Sequence, residues 1–268
     1  MTRRARLDAE LVRRGLARSR EQAAELVTAG QVRVPGRTSV KPATQVAVGD
    51  AIVVAEPAGE TYVSRGGHKL AGALDAFAPD GLDVAGRRAL DAGASTGGFT
   101  DVLLRRGVRE VVCVDVGYGQ LAWPLQTDDR VRVLDRSNVR DLTAEAIGAP
   151  VDLVVADLSF ISLRLVLPAL VAVASSDADL VPMVKPQFEV GREALGPGGV
   201  VREPERRAAA VAEVARVAQE QHGLGVAGVT ASPLPGPAGN VEYFLWLRRD
   251  AAPLDLARLE VAVEAGPS

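Results

Sequence analysis

The stretch that most constrains the fold of this chain is residues 90–100, Leu-Asp-Ala-Gly-Ala-Ser-Thr-Gly-Gly-Phe-Thr. Apolar residues are followed by an acidic residue and then by three closely spaced glycines, a pattern typical of a buried strand that continues into a ligand-binding turn. Gly93, Gly97 and Gly98 can adopt positive φ and carry no Cβ, so the backbone can turn tightly beside a ligand before a helix begins near Phe99. The pattern predicts a nucleotide site, although a plain strand-to-helix turn uses the same residues.

A second acid follows at a spacing known from nucleotide-binding folds. Asp115 ends the apolar run 111–114 and lies 24 positions after Asp91. This is close to the interval of roughly 20 residues at which an acid binds a ribose in dinucleotide-type folds. The spacing alone does not identify the cofactor.

Strand-like and helical segments alternate from residue 90 onwards. Apolar, β-rich runs separated by helical stretches recur at 111–115, 131–134, 151–156 and 179–184. This alternation predicts an α/β fold with a doubly wound parallel sheet. Two further runs after a long helical stretch predict a hairpin that adds an antiparallel strand. Such a Rossmann-like sheet with a terminal antiparallel strand resembles S-adenosylmethionine-dependent methyltransferases more than a pyridine-nucleotide dehydrogenase.

The first 54 residues follow a different pattern. Two short helical segments end at Gly15 and Gly30, and short strands with turn residues follow. Up to Lys41 there are ten Lys and Arg residues against four Asp and Glu, although the whole chain has a net charge of −3. This basic arm indicates contact with a polyanion, with a solvated basic face as the alternative. The order of elements resembles a small α+β S4 RNA-binding domain.

Composition excludes several classes of protein. With 268 residues and 47% apolar content, the chain can form one substantial α/β domain and a small module. Its apolar runs are shorter than the roughly 20 residues that span a bilayer, and its basic start leads into no signal segment. We therefore expect a soluble, cytoplasmic protein without a membrane partner. One cysteine, Cys113, excludes an internal disulfide, and with two histidines no metal site is expected.

Polar residues follow the ends of predicted strands at the edge where open α/β sheets bind ligands. Asp157 and Lys185 end two strands, Glu242 begins the last one, and Lys69 lies on a predicted helix upstream. Taken singly, these residues have common structural roles, such as a helix cap for Asp157. Their convergence on one edge favours catalysis.

Six motifs are similar to those of the TlyA family, ribosomal RNA 2′-O-methyltransferases with an N-terminal S4 domain that are also known as haemolysins. The motifs lie at 64–70, 93–99, 115–121, 157–162, 184–189 and 239–244. By this resemblance, the catalytic tetrad of FtsJ-type enzymes corresponds to Lys69, Asp157, Lys185 and Glu242. The resemblance covers nearly the whole chain up to Arg249.

The resemblance implies S-adenosyl-L-methionine as the cofactor and ribosomal RNA within 30S subunits, 50S subunits or both as the partner, with no DNA partner. The residues implied to bind the cofactor are Asp91, Gly93, Ala94, Ser95, Thr96, Gly97, Gly98, Phe99, Asp115, Asp135 and Asn138. Those implied to bind RNA are Arg4, Arg6, Arg14, Arg18, Arg20 and Arg33. The implied reaction is 2′-O-methylation of the ribose of a cytidine in 16S rRNA, 23S rRNA or both. The resemblance also implies an effect on susceptibility to cyclic peptide antibiotics that target the ribosome.

This chemistry accounts for the residue types. A ribose hydroxyl is a poor nucleophile at neutral pH, so a base must take its proton as the oxygen attacks a sulfonium methyl group. A lysine can do so only where its ammonium form is destabilised, and a second ammonium nearby has that effect. By analogy with the family, Lys185 is the base and Lys69 orients the hydroxyl, although the sequence does not decide between them.

Other interpretations account for less of the sequence. We expect Phe160, Phe188 and Tyr243 to pack in the core. A base-carbon methyltransferase needs a cysteine nucleophile, whereas Cys113 lies within a predicted strand. Two alternatives stay open: a membrane-active haemolysin and a non-catalytic RNA-binding factor in ribosome assembly.

The predicted domains are an S4-like domain at 1–59, a linker at 60–63 and the methyltransferase domain at 64–268. The linker, Glu60-Thr61-Tyr62-Val63, departs from the Arg-x-Trp-Val pattern of the family and reverses the charge of the first residue. The resemblance therefore does not extend to any role of the linker in cofactor affinity.

Overall fold

The computed structural model describes residues 4–17, 19–28, 30–47, 49–54, 61–191, 193, 195–236 and 238–267. The chain divides into two units, Met1–Thr61 and Tyr62–Ser268. Arg18 and Glu60, which the sequence analysis assigned to RNA binding and to the linker, lie outside the described residues.

The N-terminal unit combines short helices and strands. Its described elements are β1 (Arg4–Arg6), α1 (Leu7–Arg13), α2 (Arg20–Thr28), β2 (Val32–Arg33), β3 (Gln45–Ala47) and β4 (Val53–Val54). β1 pairs antiparallel with β3, and β2 pairs antiparallel with β4. Leu7 and Leu11 of α1 share a core with Ala23 and Val27 of α2 and Val46 of β3. β1 is not predictable from the sequence, because Arg-Ala-Arg carries none of the residue types that favour strands.

The C-terminal unit alternates strands and helices. Its described elements are α3 (Arg65–Phe77), β5 (Arg88–Ala92), α4 (Gly98–Arg105), β6 (Glu110–Val114), α5 (Trp123–Gln126), β7 (Val131–Leu134), α6 (Ala144–Ile147), β8 (Val151–Ala156), α7 (Leu163–Val173), β9 (Ala174–Val184), α8 (Pro186–Glu189), α9 (Pro204–His222), β10 (Gly225–Ala231), β11 (Tyr243–Arg248) and α10 (Leu256–Glu264).

Within the described residues, the strands of this unit form one sheet in the order β10-β11-β9-β8-β5-β6-β7. β5 to β9 pair in parallel, whereas β11 runs antiparallel to both of its neighbours. The predicted doubly wound sheet with a late antiparallel strand is confirmed. β11 lies inside the sheet because its residues are buried along nearly the whole strand, and β10, mostly half-buried, takes the edge.

Successive residues of β11 face two separate cores. The rings of Phe244 and Trp246 contact Phe99 of α4 and Phe77 of α3, with centroids 6.0 and 5.9 Å apart. The intervening residues Tyr243, Leu245 and Leu247 lie in the opposite core. Because strand side chains alternate, even-numbered residues of β11 point towards α3.

Candidate active site

A buried ion pair joins α3 to the residue before β11. Lys69 is 7% exposed and Glu242 is 1% exposed. The Lys69 Nζ donates to Glu242 Oε2 at 2.5 Å. Glu242 continues the alternation of Phe244 and Trp246, so it faces α3 and reaches Lys69. A charge removed from water needs an opposite charge or hydrogen bonds, and this pair supplies both.

A second ion pair links the ends of β8 and β9. Lys185 follows β9, is 8% exposed and places Nζ 2.6 Å from Asp157 Oδ1. The same Nζ donates to Ser159 Oγ at 2.9 Å. The backbone N–H of Asp157 donates to the carbonyl of Ala92 at 3.0 Å, which fixes Asp157 beside the end of β5.

Strand register brings the two pairs to the same edge. Tyr243 of β11 is opposite Val184 of β9, so the preceding Glu242 comes next to the level of Lys185. The structure therefore brings the four residues of the predicted tetrad together as two ion pairs at the carboxyl edge of the parallel strands. Their catalytic roles stay a prediction.

The glycine turn after β5 is closely packed. Gly93 has φ +85°, and a Cβ there would overlap the carbonyl oxygen of Asp157. Gly97 has φ +94°, and its Cβ would overlap the side chains of Leu121 and Leu125. Glycine at these positions thus permits both the turn and the close approach of neighbouring loops. A larger residue at Gly97 would disturb this packing, so a loss of cofactor binding in such a variant would not show that Gly97 contacts the cofactor.

The other residues of this turn differ in exposure. Ser95 is exposed and Thr96 is half-buried, whereas Ala94 and Gly98 are buried. Phe99 is 3% exposed and its ring contacts Phe244. The side chain of Phe99 therefore belongs to the core, and only its backbone lies in the turn.

Asp91 is a fully buried acid with an unused oxygen. Thr100 Oγ1 donates to Asp91 Oδ2 at 2.6 Å, while Asp91 Oδ1 has no hydrogen-bond partner among the described residues. Burial is the main cause that raises the pKa of Asp91 to about 7; the hydrogen bond from Thr100 opposes the rise, and the nearby carboxylates of Asp157 and Asp115 add to it. A buried acceptor without a donor is a candidate contact for a cationic ligand group.

Asp115 organises the adjoining loops. Its Oδ2 accepts from the backbone N–H of Ser95 at 2.8 Å, and its Oδ1 accepts from that of Gly117 at 2.7 Å. Each carboxylate oxygen has a second lone pair that can still accept a ligand hydroxyl. Asp135 Oδ2 accepts from the backbone N–H of Gly119 at 2.9 Å, and Asn138 Oδ1 caps a short helical turn through the N–H of Arg140 at 3.0 Å.

Strained backbone is concentrated at the same edge. Among the described residues, positive φ occurs outside glycine at Ser95, Arg136 and Phe160. These follow β5, β7 and β8, respectively. Left-handed backbone is costly for such residues and is typical of functional loops.

Phe160 corrects the expectation of core packing. It is 92% exposed, and its ring centroid lies 5.3 Å from that of Phe188. Tyr243 is buried as expected. The exposure of Phe160 results from the left-handed turn of its loop, which an apolar residue type does not reveal. The two rings form an accessible aromatic surface beside Lys185.

The basic residues of the N-terminal unit are partly neutralised within it. Arg6 and Arg20 contact Asp8 at 2.8 and 3.2 Å, and the hydrogen bond from Arg6 lowers the pKa of Asp8 to about 2. Arg14 contacts Glu10 at 2.7 Å and donates to the carbonyl of Asp50 at 2.8 Å. The side chain of Arg14 is 22% exposed, so it ties α1 to the β3–β4 turn.

Arg4 and Arg33 differ from Arg14 in being exposed. Asp8 and Glu10 of α1 are buried. A count of charges in the sequence includes both acids but cannot predict that they are buried.

Two of the linker residues, Tyr62 and Val63, belong to the C-terminal unit. The Tyr62 ring meets His68 edge-on at 5.0 Å between centroids, and the Arg105 guanidinium lies 4.9 Å from the ring of Tyr62. Val63 N–H donates to Asp101 Oδ2 at 2.9 Å. A Cβ on Gly67 would overlap Tyr62, so Tyr62 packs directly on α3.

Comparison with known proteins decides the family. The model of the FtsJ-like methyltransferase family matches residues 62–249, and that of the S4 domain matches residues 5–52. A Mycobacterium tuberculosis protein named 16S/23S rRNA (cytidine-2′-O)-methyltransferase TlyA is 67% identical over 248 residues, 92% of this chain and 91% of that protein. The chain belongs to the TlyA family of FtsJ-like methyltransferases.

Other relatives carry the haemolysin name. Hemolysin A of Brachyspira hyodysenteriae is 34% identical to this TlyA family member over 243 residues, 89% of this chain and 97% of that protein. A solved structure from Streptococcus thermophilus, also named for hemolysin, has a TM-score of 0.77 and 36% identity and covers 98% of this chain and 96% of its own. The described part of the chain has no helix that is both long and apolar enough to cross a membrane.

Proposed function

We propose that the protein transfers a methyl group from S-adenosyl-L-methionine to a ribose 2′-oxygen of ribosomal RNA. The observation that carries this proposal is the pairing of Lys69 with Glu242 and of Lys185 with Asp157 beside the glycine turn. The chain contains three lysines, and two of them are buried at this edge. Buried lysines are rare unless they are paired, and here the pairs lie where open α/β sheets bind ligands.

The residues at the glycine turn fit the cofactor. Asp91 offers an unpaired buried oxygen to an ammonium group, and Asp115 offers free lone pairs to ribose hydroxyls. Asp135 and Asn138 are placed on the neighbouring loops, where we assign the adenine. S-adenosyl-L-methionine supplies an electrophilic methyl group on a sulfonium.

The two lysine–carboxylate pairs have different roles towards the substrate hydroxyl. Lys185 accepts the proton of the ribose 2′-hydroxyl at Nζ, while Asp157 holds this amine in place and stabilises the ammonium that forms. Lys69, held by Glu242, orients the same hydroxyl. Lysine suits the base because, unlike arginine, it can give up its proton at accessible pH.

The two units divide recognition and chemistry in this proposal. The S4 domain, within residues 1–59, binds phosphates through exposed arginines such as Arg33, and the part from residue 64 carries the reaction. Phe160 and Phe188 stack a base beside the site. By analogy with the Mycobacterium tuberculosis relative, the target is a cytidine in 16S rRNA, 23S rRNA or both, within 30S or 50S subunits in the cytoplasm. Loss of the methyl group would change susceptibility to cyclic peptide antibiotics.

Labelled methyl transfer to separate purified 30S and 50S subunits tests this function. We expect label in the 2′-O-methyl nucleoside fraction of at least one rRNA, and mapping by mass spectrometry identifies the residue. Lys69→Ala and Lys185→Ala should abolish incorporation, whereas Lys41→Ala, which alters the one lysine outside the site, should keep it. Label on a base, or activity that survives both site variants, would refute the proposal. Release of vesicle contents without RNA would instead support the haemolysin alternative.

A further inference from the structure

The amine of Lys185 is held from two directions. Asp157 Oδ1 lies 2.6 Å from Nζ and Ser159 Oγ lies 2.9 Å from it. The ring centroid of Phe188 is 6.0 Å away. Ser159 lies outside the predicted tetrad, and its hydroxyl is the second polar contact of this amine.

The two contacts fix the orientation of the amine. A neutral lysine amine carries two N–H donors and one lone pair, arranged tetrahedrally around Nζ. When both donors point to Asp157 and Ser159, the lone pair takes the remaining direction. With Asp157 alone, the amine could rotate about the Cε–Nζ bond and its lone pair would sample several directions.

The loop that carries Ser159 is fixed at both ends. Asp157 N–H donates to the carbonyl of Ala92 at 3.0 Å. At the other end, buried Glu189 accepts from Ser162 Oγ at 2.6 Å and from the N–H of Leu163 at 2.7 Å. Glu189 belongs to α8, which starts directly after Lys185. The loop is therefore hydrogen-bonded both to the end of β5 and to α8, the helix that follows Lys185, which suits a positioning contact.

We propose that Ser159 is a positioning residue for Lys185 and, with Asp157, directs the lone pair of the amine to the substrate hydroxyl. This inference rests on the proposed function, in which Lys185 is the base. It requires an acceptor at position 159, which serine and threonine provide and alanine does not.

Lysine amine spectroscopy tests the contact without any substrate. The chain has three lysines, so protein labelled with ¹³C,¹⁵N-lysine gives three side-chain Cε–Nζ signals, which Lys41→Arg and Lys185→Arg assign. Ser159→Ala should move the Lys185 signal, and Ser159→Thr should restore it. Ser176→Ala is the control, because it removes an exposed hydroxyl of β9, the strand that Lys185 follows, and keeps the contacts that fix the loop of Ser159.

Single-turnover methylation tests the consequence. With saturating cofactor and subunit, Ser159→Ala should slow methyl transfer by about 3- to 10-fold, the equivalent of one hydrogen bond between neutral groups. Ser159→Thr should recover most of the rate. The dissociation constants for S-adenosylmethionine and for the subunit should not change, whereas a general disturbance of the loop would alter binding and rate together.

The results separate this inference from the proposed function. An unchanged Lys185 signal in Ser159→Ala, or a rate equal to that of the parent protein, would overturn the role of Ser159. So would a Ser176→Ala variant with the same signal shift. If the parent protein methylated neither subunit, the proposed function would fail, and the lysine signals would still decide whether Ser159 orients Lys185.

Discussion

Replacing Asp91 with asparagine should stabilise the C-terminal unit at neutral pH and weaken its affinity for S-adenosylmethionine. Asp91 is fully buried, and burial raises the pKa of its carboxyl from 3.8 to about 7. An unfolded chain ionises near the ordinary value, so between these pH values the native state binds more protons. The free energy of unfolding therefore falls as the pH rises through this window.

The magnitude follows from the pKa difference. Each pKa unit corresponds to about 1.4 kcal/mol, so ionised Asp91 lowers the free energy of unfolding by about 4 kcal/mol above pH 7. This cost disappears below about pH 4. Asparagine keeps an acceptor for Thr100 but buries an amide N–H at the place of the unpaired oxygen, which costs about 1–3 kcal/mol. The net gain for Asp91→Asn is then about 1–3 kcal/mol at pH 8, with a net loss near pH 4.

Denaturant unfolding at several pH values measures this effect. Both tryptophans of the chain, Trp123 and Trp246, lie in the C-terminal unit, so their fluorescence reports its unfolding. The difference in unfolding free energy between variant and parent should change by about 3 kcal/mol from pH 5 to pH 8. Asp177→Asn, at an exposed position, is the control and should show no such change. If the free energy of unfolding of Asp91→Asn and of the parent changed in parallel with pH, the raised pKa of Asp91 would be refuted.

Cofactor binding extends the same test. An ammonium group beside Asp91 favours the ionised acid, so binding near pH 6 should release a proton. Calorimetric titration in buffers of different ionisation enthalpy detects this release, which Asp91→Asn should abolish together with much of the affinity. Proton release that persisted in Asp91→Asn would assign the titrating group elsewhere.

Three further predictions concern the substrate. Lys185→Arg should lower the single-turnover methylation rate by about 10²- to 10⁴-fold, because guanidinium cannot accept the ribose proton; near-normal rates would make Lys69 the better candidate for the base. Arg33→Ala should weaken subunit binding and reduce the slope of log affinity against log salt by about 1, and an unchanged slope would exclude a phosphate contact. Phe160→Ala should raise the dissociation constant for the subunit about 10-fold through lost stacking and leave cofactor affinity intact. If variant and parent bound the subunit with equal affinity, no base would stack on Phe160.

The sequence predicted those features that depend on local pattern. Periodicity identified the parallel strands and α3, and the strand-end positions of Asp157 and Lys185 placed them at one edge. The sequence pattern could not predict the exposure of Phe160, because a phenylalanine is usually buried and the left-handed φ of +64° is a property of the loop. Nor could charge counting show that Arg14 is held by Glu10, since that contact depends on how α1 packs.

The position of β11 has a consequence for biosynthesis. The last strand of the sheet must enter between β9 and β10, which leave the ribosome before it, and the contact of Lys69 with Glu242 joins residues 173 positions apart. The nascent chain therefore presents the unpaired edge of β9 until residues near 248 emerge, a long-range closure of the kind that folds slowly. During this interval the polypeptide has its glycine turn but not its second carboxylate–lysine pair. In the proposed mechanism, catalytic competence is thus acquired only after β11 has emerged and entered the sheet, so a nascent chain that still lacks β11 is not expected to modify a ribosome.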